Sequence, residues 1–150
     1  MEEEIARALE VLRKGGVILY PTDTVWGIGC DATNERAVPR IYALKRPENK
    51  KGMLVLMASA DQTARYVDKA PEVAWQLMEV ADKPLTLILP GAVGVAPNLI
   101  PEEGTLGVRV PRHAFCEGLL RRLGRPLVST SANLSGEPAP ASFGDISQEI

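Results

Sequence analysis

Short polar side chains are concentrated in the segment 128–140, VSTSANLSGEPAP, which follows an apolar run. Two other polar segments, PTDT at 21–24 and VRVPR at 108–112, also follow or end predicted strands. In open α/β sheets, ligands bind beyond the carboxyl ends of the strands. The three segments together offer hydroxyls, an amide and the guanidinium of Arg109. Because no general base stands near any serine in the sequence, we expect them to bind a polar, anionic small molecule rather than to attack one covalently.

Each of these residues also has a structural interpretation. Ser, Thr and Asn after a strand commonly stabilise turns or cap helices. Thr22 and Thr24 could simply satisfy backbone groups after Pro21. Arg109 lies in an otherwise apolar strand, where a buried guanidinium needs an anion. That anion could be a structural carboxylate or a bound ligand, and the sequence leaves both open.

Several familiar site motifs are excluded. His113 is the single histidine, and Cys30 and Cys116 form no CxxC pair, so the chain has almost no material for a histidine triad, a zinc site or a disulfide framework. We expect both cysteines to be buried thiols. The segment 27–32, GIGCDA, matches GxGxxA but lies too far past the first predicted strand for a dinucleotide-binding turn. No GxxxxGK[ST] phosphate loop is present.

Composition predicts one compact domain. The chain has 150 residues, 45% of them apolar, with a formal net charge of −2. No apolar run is long enough to span a bilayer, and the charged, helical N-terminus is unlike a signal peptide, so we expect a cytoplasmic protein without a membrane partner. The negative charge argues against indiscriminate nucleic-acid binding. Basic pairs such as Lys45-Arg46 could still bind phosphate, although such clusters are usually just solvated.

Helices alternate with buried strands along the chain. The predicted helices cover 3–13, 34–45, 60–81 with a break at Pro71, and 113–123; the predicted strands cover 17–20, 53–57, 85–89, 105–110 and 126–130. Asn34 is a candidate N-cap, Pro39 fits the second helix only in its first turn, and Asp145 begins another predicted helix. The alternation predicts an α/β or mixed α+β sheet with helices on its faces.

Six segments taken together resemble one family: PTDTVWGIGCDA, LKRP, KGMLVLMA, PLTLILPG, TLGVRVP and PLVSTSANLSGEPAP. They look like the threonylcarbamoyl-AMP synthases of the Sua5/YrdC/YciO family, from about Gly15 to the end. The resemblance implies a YrdC/RibB-like twisted open sheet, flanked by helices around a concave ligand crevice. It also implies that 1–150 is a single YrdC-like domain lacking the family's C-terminal strand region, which carries a further arginine that reaches ATP.

The resemblance implies a reaction as well. L-threonine, bicarbonate and ATP would give L-threonylcarbamoyl-AMP and pyrophosphate, toward N6-threonylcarbamoyladenosine (t6A) at position 37 of tRNA. Mg²⁺ would arrive bound to ATP, with no metal ligands from side chains. Transfer RNA or double-stranded RNA and other t6A pathway proteins are possible further partners.

Site residues follow from the same resemblance. The catalytic set would be Lys45, Ser131 and Asn133; the ATP site would add Arg46, Lys51 and Thr105; the threonine site would hold Thr22, Arg109 and Ser129. The family motif pairs Lys-x-Arg with Ser-x-Asn. An ungapped alignment places Pro47 where the family arginine stands, so either Arg46 takes over its role or the site is weakened.

Two alternatives remain open at this point. One is a non-catalytic, YciO-like RNA-binding protein, a branch that tends to lose the Ser-x-Asn motif kept here at Ser131 and Asn133. The other is a carbamoyl-transfer module of the hydrogenase-maturation kind. That module normally lies within a longer chain with zinc-finger-like cysteines, which this sequence lacks.

Overall fold

The fold is known from a computed structural model, which describes residues 1–22, 26–45, 53–83 and 85–131, except for the side chain of Lys45. The strands are β1 (Ile18–Tyr20), β2 (Gly27–Gly29), β3 (Leu54–Leu56), β4 (Thr86–Pro90), β5 (Thr105–Arg109) and β6 (Leu127–Ser131). The helices are α1 (Glu2–Arg13), α2 (Val38–Lys45), α3 (Ala60–Ala64), α4 (Glu72–Val80) and α5 (Ala114–Leu123), with a 3₁₀ turn at Pro97–Leu99.

The strands form one mixed sheet in the order β1-β2-β6-β3-β5-β4. Only the β3–β5 pair is parallel among the described pairs, and the others are antiparallel. It follows that β1 and β6 run in one direction while β5 runs in the other. The predicted mixed sheet flanked by helices is confirmed.

Two apolar layers cover the two faces of the sheet. On one face, Val38 and Ile41 of α2 pack with Val55, Val108 and Val128 of the central strands. On the other face, a second cluster joins α1 and α5 to three sheet residues; its fully buried members include Leu12, Leu119, Leu120, Tyr20, Leu56 and Leu127. Each fully buried leucine contributes about 1.5–3 kcal/mol of transfer free energy. The helix predicted for the N-terminus therefore packs on the sheet through its apolar residues.

Prolines and caps set the helix boundaries close to those predicted. Residues 60–81 form two helices, with Pro71 immediately before α4, as its fixed φ and missing N–H dictate. Asn34 Oδ1 accepts hydrogen bonds from the backbone N–H groups of Arg36 (2.9 Å) and Ala37 (3.2 Å). Asn34 therefore stabilises the turn that precedes the helix, and its prediction as the N-cap is wrong because the helix itself begins only at Val38. Pro39 lies in the first turn, as predicted.

Strand β2 was not predicted from the sequence. It contains three residues, of which Gly27 and Gly29 carry no side chain, so it has neither an apolar run nor a clear alternation. A Cβ at Gly29 would lie 2.4 Å from the carbonyl oxygen of Val128 and 2.9 Å from Cε1 of Tyr20. The GxG pattern is thus explained by close packing within the sheet.

Both cysteines are free and buried, as expected. Cys30 belongs to the layer on the α2 face, and Cys116 belongs to the layer under α1 and α5. Within the described ranges, none of the helices combines the length and apolar character needed to cross a membrane. The helix predicted at Asp145 lies outside the described residues.

Candidate functional site

Four of the predicted site residues point to the same face of the sheet. Thr105 and Arg109 alternate along β5, and Ser129 and Ser131 alternate along β6, so each pair shares a face. Leu56 pairs with Arg109 on one side and with Leu127 on the other. Because directly paired residues share a face, the β5 pair and the β6 pair both lie on the face covered by α1 and α5. We call the surface formed by Thr105, Arg109, Ser129 and Ser131 the hydroxyl face.

Exposure increases along the hydroxyl face away from the two helices. Leu127 and Leu56 are 0% and 1% exposed beneath α1 and α5, and Ser129 is 8% exposed. Ser131 and Thr105 are half-buried. The apolar layer therefore gives way to a partly open polar surface, a suitable setting for hydrogen bonds to a ligand.

The register brings Thr22 to the same edge as Ser131. Tyr20 pairs with Gly27, and Gly27 pairs with Ser131, so these three residues form one row across β1, β2 and β6. Thr22 follows two residues beyond this row. The thiol of Cys116 on α5 donates a hydrogen bond to the carbonyl of Pro21 at 3.3 Å, which ties this segment to the helix. The predicted proximity of the PTDT and STSAN segments is supported for their described residues.

Arg109 reaches the hydroxyl face from a different position than expected. Because β5 runs opposite to β1 and β6, its carboxyl end lies at the other edge of the sheet from Thr22 and Ser131. The prediction that PTDT, VRVPR and STSAN meet beyond strand carboxyl ends is therefore wrong for VRVPR. Arg109 joins the others only through the face of the sheet that they share.

The guanidinium of Arg109 is held by Thr86 on the edge strand β4. Nε and Nη2 of Arg109 donate to Oγ1 of Thr86 at 3.1 and 3.0 Å. The two residues are direct partners in the β4–β5 pairing. Thr86 was not identified from the sequence. The pattern that could have identified it is a hydroxyl residue directly opposite an arginine in the neighbouring strand.

Tyr20 contributes a buried hydroxyl to the same region. It is 0% exposed, and within the described part of the chain its hydroxyl oxygen has no hydrogen-bond partner. Burial raises the pKa of Tyr20 far above its usual value, while the neighbouring Ser129 hydroxyl and the charge of Arg109 act in the opposite direction. Tyr20 is therefore a neutral phenol at physiological pH.

A cavity of about 460 Å³ opens beside the hydroxyl face. Thr105 and Gly107 of β5 and Thr86 of β4 line one side, and the apolar segment 99–101 lines another. This volume lies within the range typical of small-molecule sites, which are mostly apolar with a few polar groups that fix orientation. Its volume is sufficient for a small organic ligand, and Thr105 is the hydroxyl-face residue that lines it.

The remaining predicted site residues lie outside the described residues: Arg46, Lys51, Asn133 and the side chain of Lys45. The backbone of Lys45 is described and ends α2, where the helix dipole favours a cation. Among the described residues, no three His, Cys, Asp or Glu side chains come close enough to hold a metal ion. The phosphate-binding roles of these cations therefore stay predictions, and both alternatives for Arg46 stay open: that it takes over the role of the arginine displaced by Pro47, or that the site is weakened.

Comparison with known proteins identifies relatives of this chain. Residues 10–150 match the Sua5_yciO_yrdC family model, described as "Telomere recombination". A threonylcarbamoyl-AMP synthase of Vibrio cholerae is 42% identical over 141 residues, covering 91% of this chain and 74% of that protein.

Two solved structures of related proteins have the same fold as this chain. P. abyssi Sua5 complexed with L-threonine superposes with a TM-score of 0.87 at 33% identity, over 98% of this chain and 46% of that one. The chain thus spans less than half the length of that Sua5 chain. E. coli YciO superposes with a TM-score of 0.80 at 32% identity, over 91% of this chain and 67% of that one.

Proposed function

Because the chain belongs to the Sua5/YciO/YrdC family, we propose that it is an enzyme that makes L-threonylcarbamoyl-AMP from L-threonine, bicarbonate and ATP and releases pyrophosphate. The product would serve t6A modification at position 37 of tRNA in the cytoplasm. The observation that carries the proposal is the hydroxyl face, where Arg109, Ser129, Ser131 and Thr105 share one surface beside a cavity of about 460 Å³.

The threonine subsite is proposed at Arg109, Ser129 and Thr22. A guanidinium held in place by Thr86 suits a carboxylate, and hydroxyl groups suit the polar atoms of the amino acid. Ser129 is nearly buried, so a hydrogen bond to it would form away from competing water. The L-threonine complex of the related P. abyssi Sua5 supports this part of the proposal.

The ATP subsite is proposed at the more open end of the hydroxyl face. Thr105 and Ser131 would contact the nucleotide, with Lys45, Arg46, Lys51 and Asn133 completing the site. The cations would neutralise the phosphates together with the Mg²⁺ that ATP carries. The apolar wall of the cavity provides a surface for the base.

The proposed chemistry needs alignment and charge neutralisation more than acid–base groups. The threonine amine attacks the carbon of bicarbonate, and water leaves to give a carbamate. A carbamate oxygen then forms a bond to the α-phosphorus of ATP, and the bond between that phosphorus and the bridging oxygen breaks, so pyrophosphate leaves with the electron pair. Because the carbamate is already an anion, no histidine base is required for its attack. Holding two anions in line supplies much of the rate enhancement.

Pyrophosphate release by the full natural chain tests the proposal. Release should require ATP, bicarbonate and L-threonine together and should fall to background when any one is omitted. Release that proceeds without threonine would contradict the synthase assignment and indicate a simple ATP hydrolase.

A non-catalytic RNA-binding role is the second candidate, because the chain also superposes on E. coli YciO. Under this alternative, fluorescence anisotropy would detect binding of tRNA or double-stranded RNA by a protein that releases no pyrophosphate. The net charge of −2 makes broad, charge-driven RNA binding the weaker candidate.

A further inference from the structure

The two glycines of β2 make room for the ring of Tyr20. A Cβ at Gly27 would lie 3.3 Å from Cζ and 3.4 Å from the hydroxyl oxygen of Tyr20, and one at Gly29 would lie 2.9 Å from Cε1. The ring therefore lies across β2, between its own strand and β6. Its hydroxyl group is carried toward the serines of the hydroxyl face.

The hydroxyl of Tyr20 has no structural use in the described part of the chain. It is fully buried and has no hydrogen-bond partner there. A buried hydroxyl without a partner destabilises a protein relative to an apolar group of the same shape. Phenylalanine would fill the same space without that penalty. The presence of the hydroxyl group therefore points to a role when a ligand is bound.

Two groups next to this hydroxyl belong to the proposed threonine subsite. Ser129 lies beside it without meeting hydrogen-bond geometry, and the guanidinium of Arg109 is close enough to act on it electrostatically. Ser129 is 8% exposed, whereas Tyr20 is 0% exposed. A ligand on the hydroxyl face would contact Ser129 first, with Tyr20 behind it.

We propose that Tyr20 is a positioning residue for the amino-acid substrate, whose phenol donates a hydrogen bond to Oγ of Ser129 when a carboxylate binds. Oγ of Ser129 would then accept from Tyr20 while its own proton is donated to the carboxylate. Successive hydrogen bonds of this kind polarise and strengthen one another in a poorly solvated site. The inference rests on the proposed threonine subsite and adds Tyr20 to it.

Tyr20→Phe tests this inference, with Tyr66→Phe as the matched control on the opposite face of the sheet. For Tyr20→Phe we expect the KM for L-threonine, and the Kd by calorimetry, to rise roughly two- to tenfold. The KM for ATP should stay within about twofold, and Tm should be unchanged or higher, because an unsatisfied hydroxyl is removed. Tyr66→Phe should leave threonine binding unchanged.

A structural role for the phenol would give the opposite pattern. A lower Tm with unchanged threonine binding in Tyr20→Phe would overturn the inference and leave the proposed function intact. No threonine binding by the wild-type chain in the presence of ATP and bicarbonate would overturn both.

One further measurement does not depend on how well Tyr20→Phe folds, and a double-substitution test complements it. In the wild type labelled with ¹³C at tyrosine Cζ, the Tyr20 resonance should shift on addition of L-threonine with ATP, and in Ser129→Ala that shift should be lost. A resonance that does not move in the threonine-bound wild type would refute the inference. In the Ser129→Ala background, Tyr20→Phe should cause no further loss of threonine affinity.

Discussion

Arg109 and Thr86 face each other across β5 and β4, and two nitrogens of the guanidinium donate to the single hydroxyl oxygen of the threonine, at 3.1 and 3.0 Å. Arginine has many rotamers, and freezing them costs free energy that a ligand would otherwise have to offset. In the proposed threonine subsite, Thr86 would therefore hold the guanidinium in place for the substrate carboxylate before the ligand binds.

Replacing Thr86 with valine should weaken threonine binding without unfolding the protein. Valine keeps the shape of threonine but removes the acceptor, so the KM for L-threonine should rise roughly two- to tenfold. Thr63→Val is the control, since the Thr63 hydroxyl donates to the carbonyl of Ser59 at 2.9 Å within a turn of α3. That variant should lose about 1 kcal/mol of stability with no change in threonine KM. Equal KM effects in both variants would contradict the assigned role of Thr86.

Substitutions of Arg109 separate its ligand role from its structural role. If Arg109 binds the substrate carboxylate, Arg109→Ala should weaken threonine binding roughly ten- to a hundredfold. Arg109→Lys should recover only part of this loss, because an ammonium cannot form the same fork of hydrogen bonds. Calorimetry measures the affinity of both variants for L-threonine, and thermal unfolding measures their Tm. A drop in Tm with threonine affinity unchanged would assign Arg109 to a structural ion pair.

Gly29 should not tolerate a side chain. The added methyl group of Gly29→Ala would overlap the carbonyl of Val128 at 2.4 Å and crowd the Tyr20 ring, so we expect a loss of about 1–3 kcal/mol in the free energy of unfolding. Gly107→Ala in β5 is the control, since its Cβ would come no closer than 3.4 Å to Leu54. Urea denaturation of the two variants measures the difference. Equal stabilities would show that β2 does not pack as described.

The two alternatives for Arg46, that it takes over the role of the arginine displaced by Pro47 or that the site is weakened, predict different kinetics; the first gives the following result. A lost charge-assisted contact to phosphate costs about 1.5–3 kcal/mol, so Arg46→Ala should slow pyrophosphate release roughly ten- to a hundredfold. Arg46→Lys should restore the rate only in part.

The alternative outcome for Arg46 is equally specific. Less than about a twofold effect would mean that Arg46 is solvated and that Lys45 and Lys51 carry the phosphate charge. Lys45→Ala should then be the severe substitution. If neither Arg46→Ala nor Lys45→Ala slows pyrophosphate release, the phosphate-binding assignment is wrong.

Local patterns predicted much of the fold. The apolar stripe of α1 and the runs at β3, β5 and β6 are encoded within a few residues, and they appear close to the predicted bounds. The sharing of a face by Ser129 and Ser131 follows from the alternation of a strand.

Features that depend on distant partners could not be read from the sequence. Strand β2 exists because Gly27 pairs with Ser131 and because its glycines admit the ring of Tyr20. The direction of β5 relative to β6, which moved Arg109 away from the expected edge, depends on how the chain crosses over between strands. The contact of Thr86 with Arg109 likewise requires the register of two strands.

The identity of the reaction product tests the central claim most directly. The full natural chain would be incubated with ATP, Mg²⁺, L-threonine and ¹³C-bicarbonate, and the nucleotide products would be analysed by mass spectrometry. We predict threonylcarbamoyl-AMP that carries the labelled carbon, formed together with pyrophosphate and absent when threonine is omitted. A reaction that yields only AMP or ADP, or no nucleotide product at all, would contradict the proposed synthase.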